Sequence, residues 1–237
     1  MPLDEEGNFA PVHVGGRVYK GRALADYCDR HVRSAYFKRD KASVDFMFYL
    51  WNGFNSPFTG RIMHTFERTY VDAPETWKEP SNYYYKYVDS EKMASMILRE
   101  FNLYSEYSHV ICGHTPVHAA AGESPVKAHK KLLIIDGGFC QAYYKTTGIA
   151  GYTLIFNSQG MKIKAHRPFT DVKNAITENA DIVSDSDVVE KYPTRLYVRD
   201  TDEGRGLTIR IADLEELLES YKNGSIRQKS GKAGGDL

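Results

Sequence analysis

Apolar residues recur at the spacing of an amphipathic helix in four segments of the chain. The first covers residues 21–39, and the second runs from Ser43, a residue suited to capping a helix, to Trp51. This second segment is apolar on most sides, which predicts a buried helix. A third helix is predicted after Ser90, and a fourth ends near Asn223. We expect the fourth helix to bury six apolar side chains: Leu207, Ile211, Leu214, Leu217, Leu218 and Tyr221.

Short apolar runs between the helices predict β-strands. The run at residues 109–112 leads directly into Gly113-His114, and the run at residues 132–135 leads into Asp136-Gly137-Gly138. Residues 152–156 and 161–166 flank a four-residue turn segment, which predicts a β-hairpin with one solvent-facing side. The three strands that follow the His114 loop therefore predict a β-meander.

The remaining segments carry weaker patterns. Residues 52–88 have no long period and predict an extended loop, whereas residues 170–192 predict one or two short helices. Residues 225–237 are polar and without pattern, which is typical of a disordered tail. Because helices and strands alternate, the sequence predicts an α/β (α+β) domain over residues 1–224, with helices packed on a mixed sheet.

Charge and cysteine content narrow the range of partners and compartments. The 237 residues include 31 Lys and Arg against 31 Asp and Glu, so no basic field attracts nucleic acid. No apolar run approaches the ~18–20 residues of a membrane span. The three cysteines have neither zinc spacing nor a disulfide framework, and each sits in an apolar setting. We therefore predict buried free thiols in a cytoplasmic protein at Cys28, Cys112 and Cys140.

His114 is the candidate residue for metal chemistry, because it follows Gly113 just past the end of a predicted strand. Loops at strand ends commonly carry ligand-binding and catalytic groups in α/β sheets, and a neutral imidazole can ligate a metal. A histidine that serves only packing is the alternative for an isolated Gly-His pair. Three other histidines have no partner at ligand spacing and are assigned to surface or packing roles: His118, His129 and His166.

A series of segments in a defined order carries a resemblance to a known family. The segments are Pro2-Leu3-Asp4-Glu5-Glu6-Gly7-Asn8-Phe9, Leu50-Trp51-Asn52-Gly53, Ser56-Pro57, Thr65-Phe66-Glu67-Arg68, Gly113-His114-Thr115-Pro116-Val117, Gly122-Glu123-Ser124-Pro125, Ile135-Asp136-Gly137-Gly138-Phe139, Lys145-Thr146-Thr147-Gly148-Ile149-Ala150-Gly151-Tyr152-Thr153-Leu154 and Val198-Arg199-Asp200-Thr201-Asp202. Together they resemble the C-terminal part of a class III fructose-1,6-bisphosphatase of the Firmicute type, within the calcineurin-like metallophosphatases. The resemblance covers nearly the whole chain.

The resemblance implies both a fold and a reaction. The fold would be the C-terminal portion of a metallophosphatase sandwich. The reaction would be metal-assisted removal of the C1 phosphate of fructose 1,6-bisphosphate, a step of gluconeogenesis that yields fructose 6-phosphate. A dinuclear Mn²⁺ site would bind phosphate oxygens and generate the attacking hydroxide. His114 would supply one ligand, Asp136 could offer a carboxylate, and Pro116 stands where many such enzymes place a second histidine.

Four residues are candidates for binding the substrate phosphates. The resemblance places the segment that contains Arg68 near the active site, and Arg61 and Arg68 could bind phosphate through a guanidinium fork. An ion pair with a residue such as Glu67 is the alternative for either arginine. The backbone N–H groups of Gly137 and Gly138 could also bind phosphate oxygens, although a plain turn is the alternative there.

The family has four other metal motifs: an Asp-x-His, a Gly-Asp-x-x-Asp-Arg, a Gly-Asn-His-Asp and a His-Gly that should stand just before the position of Met1-Pro2. None is found here. Asp29-Arg30-His31 has the residue types of the first motif but lies inside a helical pattern. We therefore expect the chain to begin just after the fourth of five motifs. Two functions therefore stay open: a fructose-1,6-bisphosphatase, or a non-catalytic half that acts only when paired with a separately encoded N-terminal half. A sheet that lacks the strands of a missing N-terminal half should keep an uncovered edge or face, and uncovered edges promote self-association into oligomers.

Overall fold

The computed structural model describes residues 1–53, 56–58, 70–76, 81–138, 140–148, 151–167, 171–179 and 184–227. Arg61, Arg68 and most of the predicted tail lie outside these described residues. The chain divides into two compact units. The first contains Met1–Leu154 and Ile163–Asp187, and the second contains Ile155–Lys162 and Val188–Leu237. The predicted mixed α/β class is confirmed, whereas a single domain over residues 1–224 stays a prediction.

The first unit opens with a small hairpin and two helices. Strands β1 (Val12–Val14) and β2 (Arg17–Tyr19) pair antiparallel and are followed by helices α1 (Gly21–Phe37) and α2 (Lys41–Asn52). A shared apolar core joins these elements, because the buried residues of all three regions pack together. Its members are Val14, Leu24, Cys28 and Leu50, with Tyr27, Phe46 and Tyr49 packed against them.

Helix α2 differs from its prediction in both its cap and its burial. Asp40 is the N-cap, and its carboxylate accepts a 2.9 Å hydrogen bond from the backbone N–H of Ser43. Leu50 is buried, but Trp51 is 73% exposed, so the expectation of a helix buried on most sides is wrong. The physical reason is that α1 packs against one face of α2, which leaves apolar residues of another face in solvent.

The middle of the first unit is a mixed three-stranded sheet that two helices precede in the chain. Helix α3 (Tyr83–Lys86) lies within the segment predicted as a loop, and α4 (Glu91–Glu100) begins after its predicted cap, Ser90. Strands β3 (Val110–Cys112), β4 (Val126–Lys127) and β5 (Leu132–Ile134) follow. The strand order is β3-β5-β4, with β3 parallel and β4 antiparallel to β5.

Burial in this sheet follows from the strand order. The central strand β5 carries Leu132 and Leu133, which are both fully buried. In the part of the chain that the structure describes, β3 pairs with β5 alone, and Ile111 on β3 is 51% exposed. Among the described residues β3 is therefore an edge strand, and the exposed Ile111 side chain lies on a sheet face that is open to solvent, as expected of a sheet with an uncovered edge or face.

The predicted hairpin is present, and it belongs to a second three-stranded sheet. After helix α5 (Tyr144–Thr147) come β6 (Gly151–Asn157) and β7 (Gly160–His166), which a two-residue turn connects where four residues were expected. Helix α6 (Val172–Thr177) and strand β8 (Ser184–Lys191) complete this region. The strand order is β6-β7-β8, so a meander does follow the His114 loop, but its third strand is β8 and not β5.

Strand β8 corrects the prediction of helices over residues 170–192, which holds for α6 only. The sequence of β8, Ser-Asp-Ser-Asp-Val-Val-Glu-Lys, contains two apolar residues, of which Val189 is buried and Val188 is 59% exposed. So short an apolar signal does not distinguish a strand from a helix. The neighbouring strand β7, distant in the sequence, supplies the pairing that selects the strand.

The long helix of the second unit forms where it was predicted but is not buried. Helix α7 (Asp202–Lys222) follows the 3-10 turn Val198–Asp200, and Thr201 caps it through a 3.1 Å hydrogen bond from the N–H of Gly204. Gly204 is its buried residue. The six side chains expected to be buried are 41–63% exposed, so that prediction is wrong. Among the described residues no helix is long and apolar enough to cross a membrane.

Candidate functional site

Parallel pairing of β3 with β5 brings two sequence-distant loops to one edge of the sheet. Cys112 at the end of β3 lies opposite Ile134 at the end of β5. The backbone N–H of Ile135 donates to the carbonyl of Cys112 at 2.9 Å, which holds the two strand ends together. The His114 loop and the Asp136 turn therefore leave the sheet side by side, as expected of loops that share a ligand site.

A second backbone bond ties the two loops together beyond the strands. The N–H of Val117 donates to the carbonyl of Asp136 at 2.8 Å, and Val117 itself is completely buried. The far end of the His114 loop is therefore anchored to the Asp136 turn. A site built here rests on a fixed backbone, which is what precise placement of ligands requires.

His114 itself has an uncommon backbone conformation and an accessible side chain. Its φ is +71°, in the left-handed region that non-glycine residues rarely adopt, and the residue is exposed. The N–H of Thr115 donates to the carbonyl of Gly113 at 2.9 Å, closing a tight turn around it. Strained backbone of this kind costs of order 1–3 kcal/mol and is concentrated at functional sites. The structure thus presents an exposed imidazole at the position that the sequence indicated.

The Asp136-Gly137-Gly138 segment is a turn closed by its own side chain. The Asp136 carboxylate accepts a 2.8 Å hydrogen bond from the N–H of Gly138, whose φ is +73°. Both glycines are buried. The N–H of Gly138 is therefore already engaged, which favours the turn interpretation. Phosphate binding by Gly137 and Gly138 stays a prediction.

Glu123 anchors a third loop, next to the His114 loop. The sequence indicated this loop, Gly122-Glu123-Ser124-Pro125, but not the role of the Glu123 carboxylate. One carboxylate oxygen accepts a 2.8 Å hydrogen bond from the N–H of His118, and the other lies 2.9 Å from the ammonium of Lys127. The His118 N–H, followed by Lys127, lowers the pKa of Glu123 below its ordinary value. Glu123 is therefore a carboxylate at neutral pH. Its contacts with the His118 N–H and with Lys127 hold the loop in place. In the sequence, the glycine at position 122 indicated a turn beside Glu123. The structure confirms that turn, since the φ of Gly122 is +81°.

Tyr84 contacts the end of β3, the strand that leads into the His114 loop. Its hydroxyl is 2.9 Å from the sulfur of Cys112, and the side chain is partly buried. Burial raises the pKa of Tyr84 above its ordinary range, and the hydrogen bond with Cys112 adds to this rise. Tyr84 is therefore a neutral phenol at physiological pH, suited to hydrogen bonding and not to acting as a base.

A cavity of about 940 Å³ opens beside the His114 loop within the first unit. Gly113 and Thr115, the two neighbours of His114, line it, and Glu123 lies at its wall. Tyr85 also lines the cavity, with its hydroxyl 3.4 Å from that of Thr115. A volume of this size is in the range of small-molecule sites, and its mixture of aromatic rings and hydroxyl groups suits a polar ligand.

The cysteines occupy three different environments. All three are free; Cys28 is buried, Cys112 is partly buried, and Cys140 is exposed. The expectation of buried thiols is therefore confirmed for Cys28 and wrong for Cys140. Cys140 lies on a loop immediately before a short 3-10 turn, where it is open to solvent. None of the three belongs to a cluster that could hold a metal in the described part of the chain.

The described residues do not by themselves fit a dinuclear metal site. Within them, no group of three or more His, Cys, Asp or Glu side chains could hold a metal ion. His114 and Asp136 come to the same edge of the sheet, but further ligands are required for a site with fixed coordination. Among the described residues His118, His129 and His166 do not complete such a site, and the surface or packing roles assigned to them stay predictions.

Comparison with known proteins connects this arrangement to one family. The family model described as Firmicute fructose-1,6-bisphosphatase matches residues 1–223. The fructose-1,6-bisphosphatase class 3 of Clostridium botulinum (strain Hall) is 47% identical to this chain over 236 residues, and that of Clostridium novyi (strain NT) is 45% identical over 239 residues. These matches cover 97% and 98% of this chain. No solved structure matches.

Each match covers nearly all of this chain but only part of the relative. The chain spans 35% of the length of the Clostridium botulinum relative and 36% of that of the Clostridium novyi relative. The similarity therefore concerns about a third of each relative. The shared part includes the β3 and β5 strand ends, the His114 loop and the Asp136 turn, since all of them fall within residues 1–223.

Proposed function

Because the chain belongs to the Firmicute fructose-1,6-bisphosphatase family, we propose that it takes part in hydrolysis of the C1 phosphate of fructose 1,6-bisphosphate. The observation that carries the proposal is the exposed His114 loop, held against the Asp136 turn at the end of two parallel strands. Its setting combines an imidazole, a nearby carboxylate and an adjoining cavity. Formation of fructose 6-phosphate in this way would be a step of gluconeogenesis.

We propose that His114 supplies one ligand to a manganese site, that Asp136 can offer a second, and that the remaining ligands come from outside the described residues. The absence of a three-ligand cluster among the described residues supports this division. When bound, such metals polarise phosphate oxygens and provide a hydroxide nucleophile. The part that this chain contributes is a ring nitrogen on a fixed turn, together with the wall of the cavity beside it.

We further propose that guanidinium groups and a backbone N–H group of this chain bind the phosphates of the substrate. Guanidinium groups of Arg61 and Arg68 would bind the phosphates, because a bidentate fork matches phosphate geometry. The N–H of Gly138 already donates to the Asp136 carboxylate. The N–H of Gly137 is therefore the better donor to a phosphate oxygen. A cytoplasmic location fits the three free thiols, because disulfides are rare in that reducing compartment.

A second candidate function is a non-catalytic half that acts when paired with a separate N-terminal half. The same observation favours it, since the described residues do not complete a metal site. The two candidates differ in one measurable respect. An enzyme would release phosphate without a second polypeptide, whereas a half-protein would need one.

The test supplies the missing motifs in trans. The N-terminal segment of the Clostridium botulinum relative is expressed with residues 1–237, and phosphate release from fructose 1,6-bisphosphate is measured with manganese. We expect turnover by the complex, and His114→Ala should lower kcat/KM by ~10-fold or more, as befits loss of a metal ligand. His129→Ala is the matched control, because that side chain is 86% exposed and lies on another loop.

The outcomes separate the parts of the proposal. A complex that elutes as one species but releases no phosphate would contradict the proposed reaction. A complex that turns over equally well with His114→Ala would remove His114 from the site and leave the reaction intact. Equal losses with His114→Ala and His129→Ala would indicate a general effect on folding, which circular dichroism of both variants would reveal.

A further inference from the structure

Helix α7 combines solvent exposure along its length with a high apolar content. Every residue from 205 to 219 is exposed, although the helix contains seven large apolar side chains. Most of the stability of helices in proteins comes from packing of an apolar face and not from intrinsic propensity. A helix of 21 residues with Gly204 and Gly206 in its first turns therefore needs a partner for its apolar surface.

The apolar residues of α7 follow a heptad repeat. Steps of four, three, four and three residues separate the members of what we call the heptad seam: Leu207, Ile211, Leu214, Leu218 and Tyr221. Their exposed fractions are 47–63%. Such spacing places them in one stripe along the helix, at the a and d positions of a coiled coil.

The residue types at the two positions indicate the kind of partner. The a positions are Leu218 and the β-branched Ile211, and the d positions are Leu207, Leu214 and Tyr221. A β-branched residue at a with leucine at d favours two-stranded parallel coiled coils. Upstream, Gly204 is packed against the carbonyl of Val198, so the seam available to a partner begins at Leu207.

The charges beside the seam fit a second copy of the same helix. In a parallel pair, the g position of one helix faces the e position five residues later on the other. Arg210 at g then meets Glu215 of the second copy, and the symmetric contact repeats this pair. Leu217 at g meets Lys222, whose aliphatic stem can cover it. In an antiparallel pair Arg210 would instead face Leu217, which offers no opposite charge.

We infer that the heptad seam of α7 binds the same seam of a second copy of this chain, forming a parallel two-stranded coiled coil. The contact extends over about two heptads, which is short for a coiled coil. The dimer should therefore dissociate on dilution, with a mass that moves between 26.9 kDa and twice that value. This inference is independent of the proposed reaction, because it rests on α7 alone.

The principal test is sedimentation equilibrium of residues 1–237 over a series of concentrations. We expect Leu214→Lys to raise the dissociation constant about 100-fold, because each of the two copies loses a buried leucine and gains a charge in the seam. Ile209→Lys is the matched control: Ile209 is 63% exposed, as Leu214 is, but it lies at the outward f position. That variant should stay within about twofold of the unchanged chain, since f positions do not contact the partner.

Charge exchange tests the orientation. Arg210→Glu and Glu215→Arg should each weaken the dimer, and the double variant should restore it, because the opposite charges again face each other. A chain that is monomeric at every concentration would overturn the inference. It would also be overturned if Leu214→Lys and Ile209→Lys had equal effects, since another surface would then form the dimer. Circular dichroism of each variant excludes loss of the helix as the cause.

Discussion

At the scale of single residues, Glu123 holds the loop beside His114 through one carboxylate. It accepts a hydrogen bond from the His118 N–H and pairs with Lys127, whose side chain is only 13% exposed. The ammonium of Lys127 is therefore largely removed from water and depends on its partner. Loss of the Glu123 charge should disturb the wall of the cavity as well as the ion pair, because Glu123 also lines that cavity.

We predict that Glu123→Gln lowers the free energy of unfolding by about 1–2 kcal/mol at neutral pH, through weaker hydrogen bonding and an unpaired Lys127. The folded-state pKa of Glu123 lies below its ordinary value of 4.5. The carboxylate therefore contributes fully above 4.5, and its contribution is lost as the pH falls through the lower folded value. Urea denaturation of Glu123→Gln and of the unchanged chain, at neutral pH and at a pH below the folded-state pKa of Glu123, measures this difference in the free energy of unfolding.

The control for this prediction is Glu216→Gln on the exposed surface of α7, which should change stability little at either pH. If the stability difference between Glu123→Gln and the unchanged chain stayed constant down to strongly acidic pH, the charge of Glu123 would not be its cause.

The thiols provide a second prediction at the residue scale. Burial raises the pKa of Cys28, and the thiolate is the form that reacts. Cys140 is exposed, so at neutral pH we expect iodoacetamide to label Cys140 first and Cys28 at least roughly 10-fold more slowly. Peptide mapping by mass spectrometry gives the order. Equal labelling rates in the folded chain would contradict the burial of Cys28, and unfolding in urea should remove the difference.

At the scale of elements, two turns with left-handed glycines form a matched pair. Gly138 has φ of +73°, and a Cβ there would lie 2.8 Å from the Cβ of Tyr143. Gly122 has φ of +81° with no heavy atom within 4 Å of such a Cβ. The two positions share the backbone requirement and differ in the space around them, so their substitution separates backbone strain from steric overlap.

We predict that Gly122→Ala costs about 1–2 kcal/mol, the usual penalty for an L-residue in the left-handed region. Gly138→Ala should cost about 1–3 kcal/mol more, because the added methyl group overlaps Tyr143. Thermal or urea denaturation of both variants provides the comparison. Equal costs would show that Tyr143 moves away without penalty and that the close approach is not what requires glycine at 138.

The elements that the sequence identified are those with local signals. Ser90 precedes a helix with an apolar stripe, and the Ser90 hydroxyl accepts the Met93 N–H at 3.3 Å as a cap should. The hairpin of β6 and β7 likewise carries alternating burial, with Met161 and Ile163 buried and Lys162 exposed. Short-range spacing was sufficient for these, because capping and alternation act between residues close in the chain.

The elements that the sequence missed depend on distant partners. Strand β8 exists through its pairing with β7, and its own residues give no clear alternation. For α7 the amphipathic spacing predicted the helix correctly, but such a pattern does not state which surface covers the apolar stripe. The same limit applies to Trp51, whose apolar helix suggested burial although the residue is 73% exposed. Periodicity predicts which face is apolar, and tertiary contacts decide whether it is covered.

At the scale of the whole molecule, the candidate site is a product of sheet topology. The sequence indicated His114 at a strand end and Asp136 at another, but not that these strands are parallel neighbours. The backbone conformation of His114 and the anchoring role of Glu123 also emerged only from the folded loops. Arg61 and Arg68 lie outside the described residues, so their role in binding phosphate stays a prediction.

We predict that residues 1–237 alone do not hydrolyse fructose 1,6-bisphosphate, because the described residues supply too few metal ligands. In the described part of the chain no three potential ligands come together, and His114 with Asp136 would give at most two. Catalysis by a bound metal requires a fixed coordination sphere with an open position for water. Two ligands leave weak and exchangeable binding, in which neither the metal nor the phosphate is held in place.

The measurement is phosphate release from fructose 1,6-bisphosphate by purified residues 1–237 in excess manganese. We expect no turnover above that of the His114→Ala variant, because the described residues bring together no group of three ligands that could bridge and neutralise two metal ions. Comparison with His114→Ala, and not with buffer, removes the contribution of contaminating phosphatases. Turnover that exceeds this variant would show that ligands within the chain complete the site, and would place at least some of them outside the described residues.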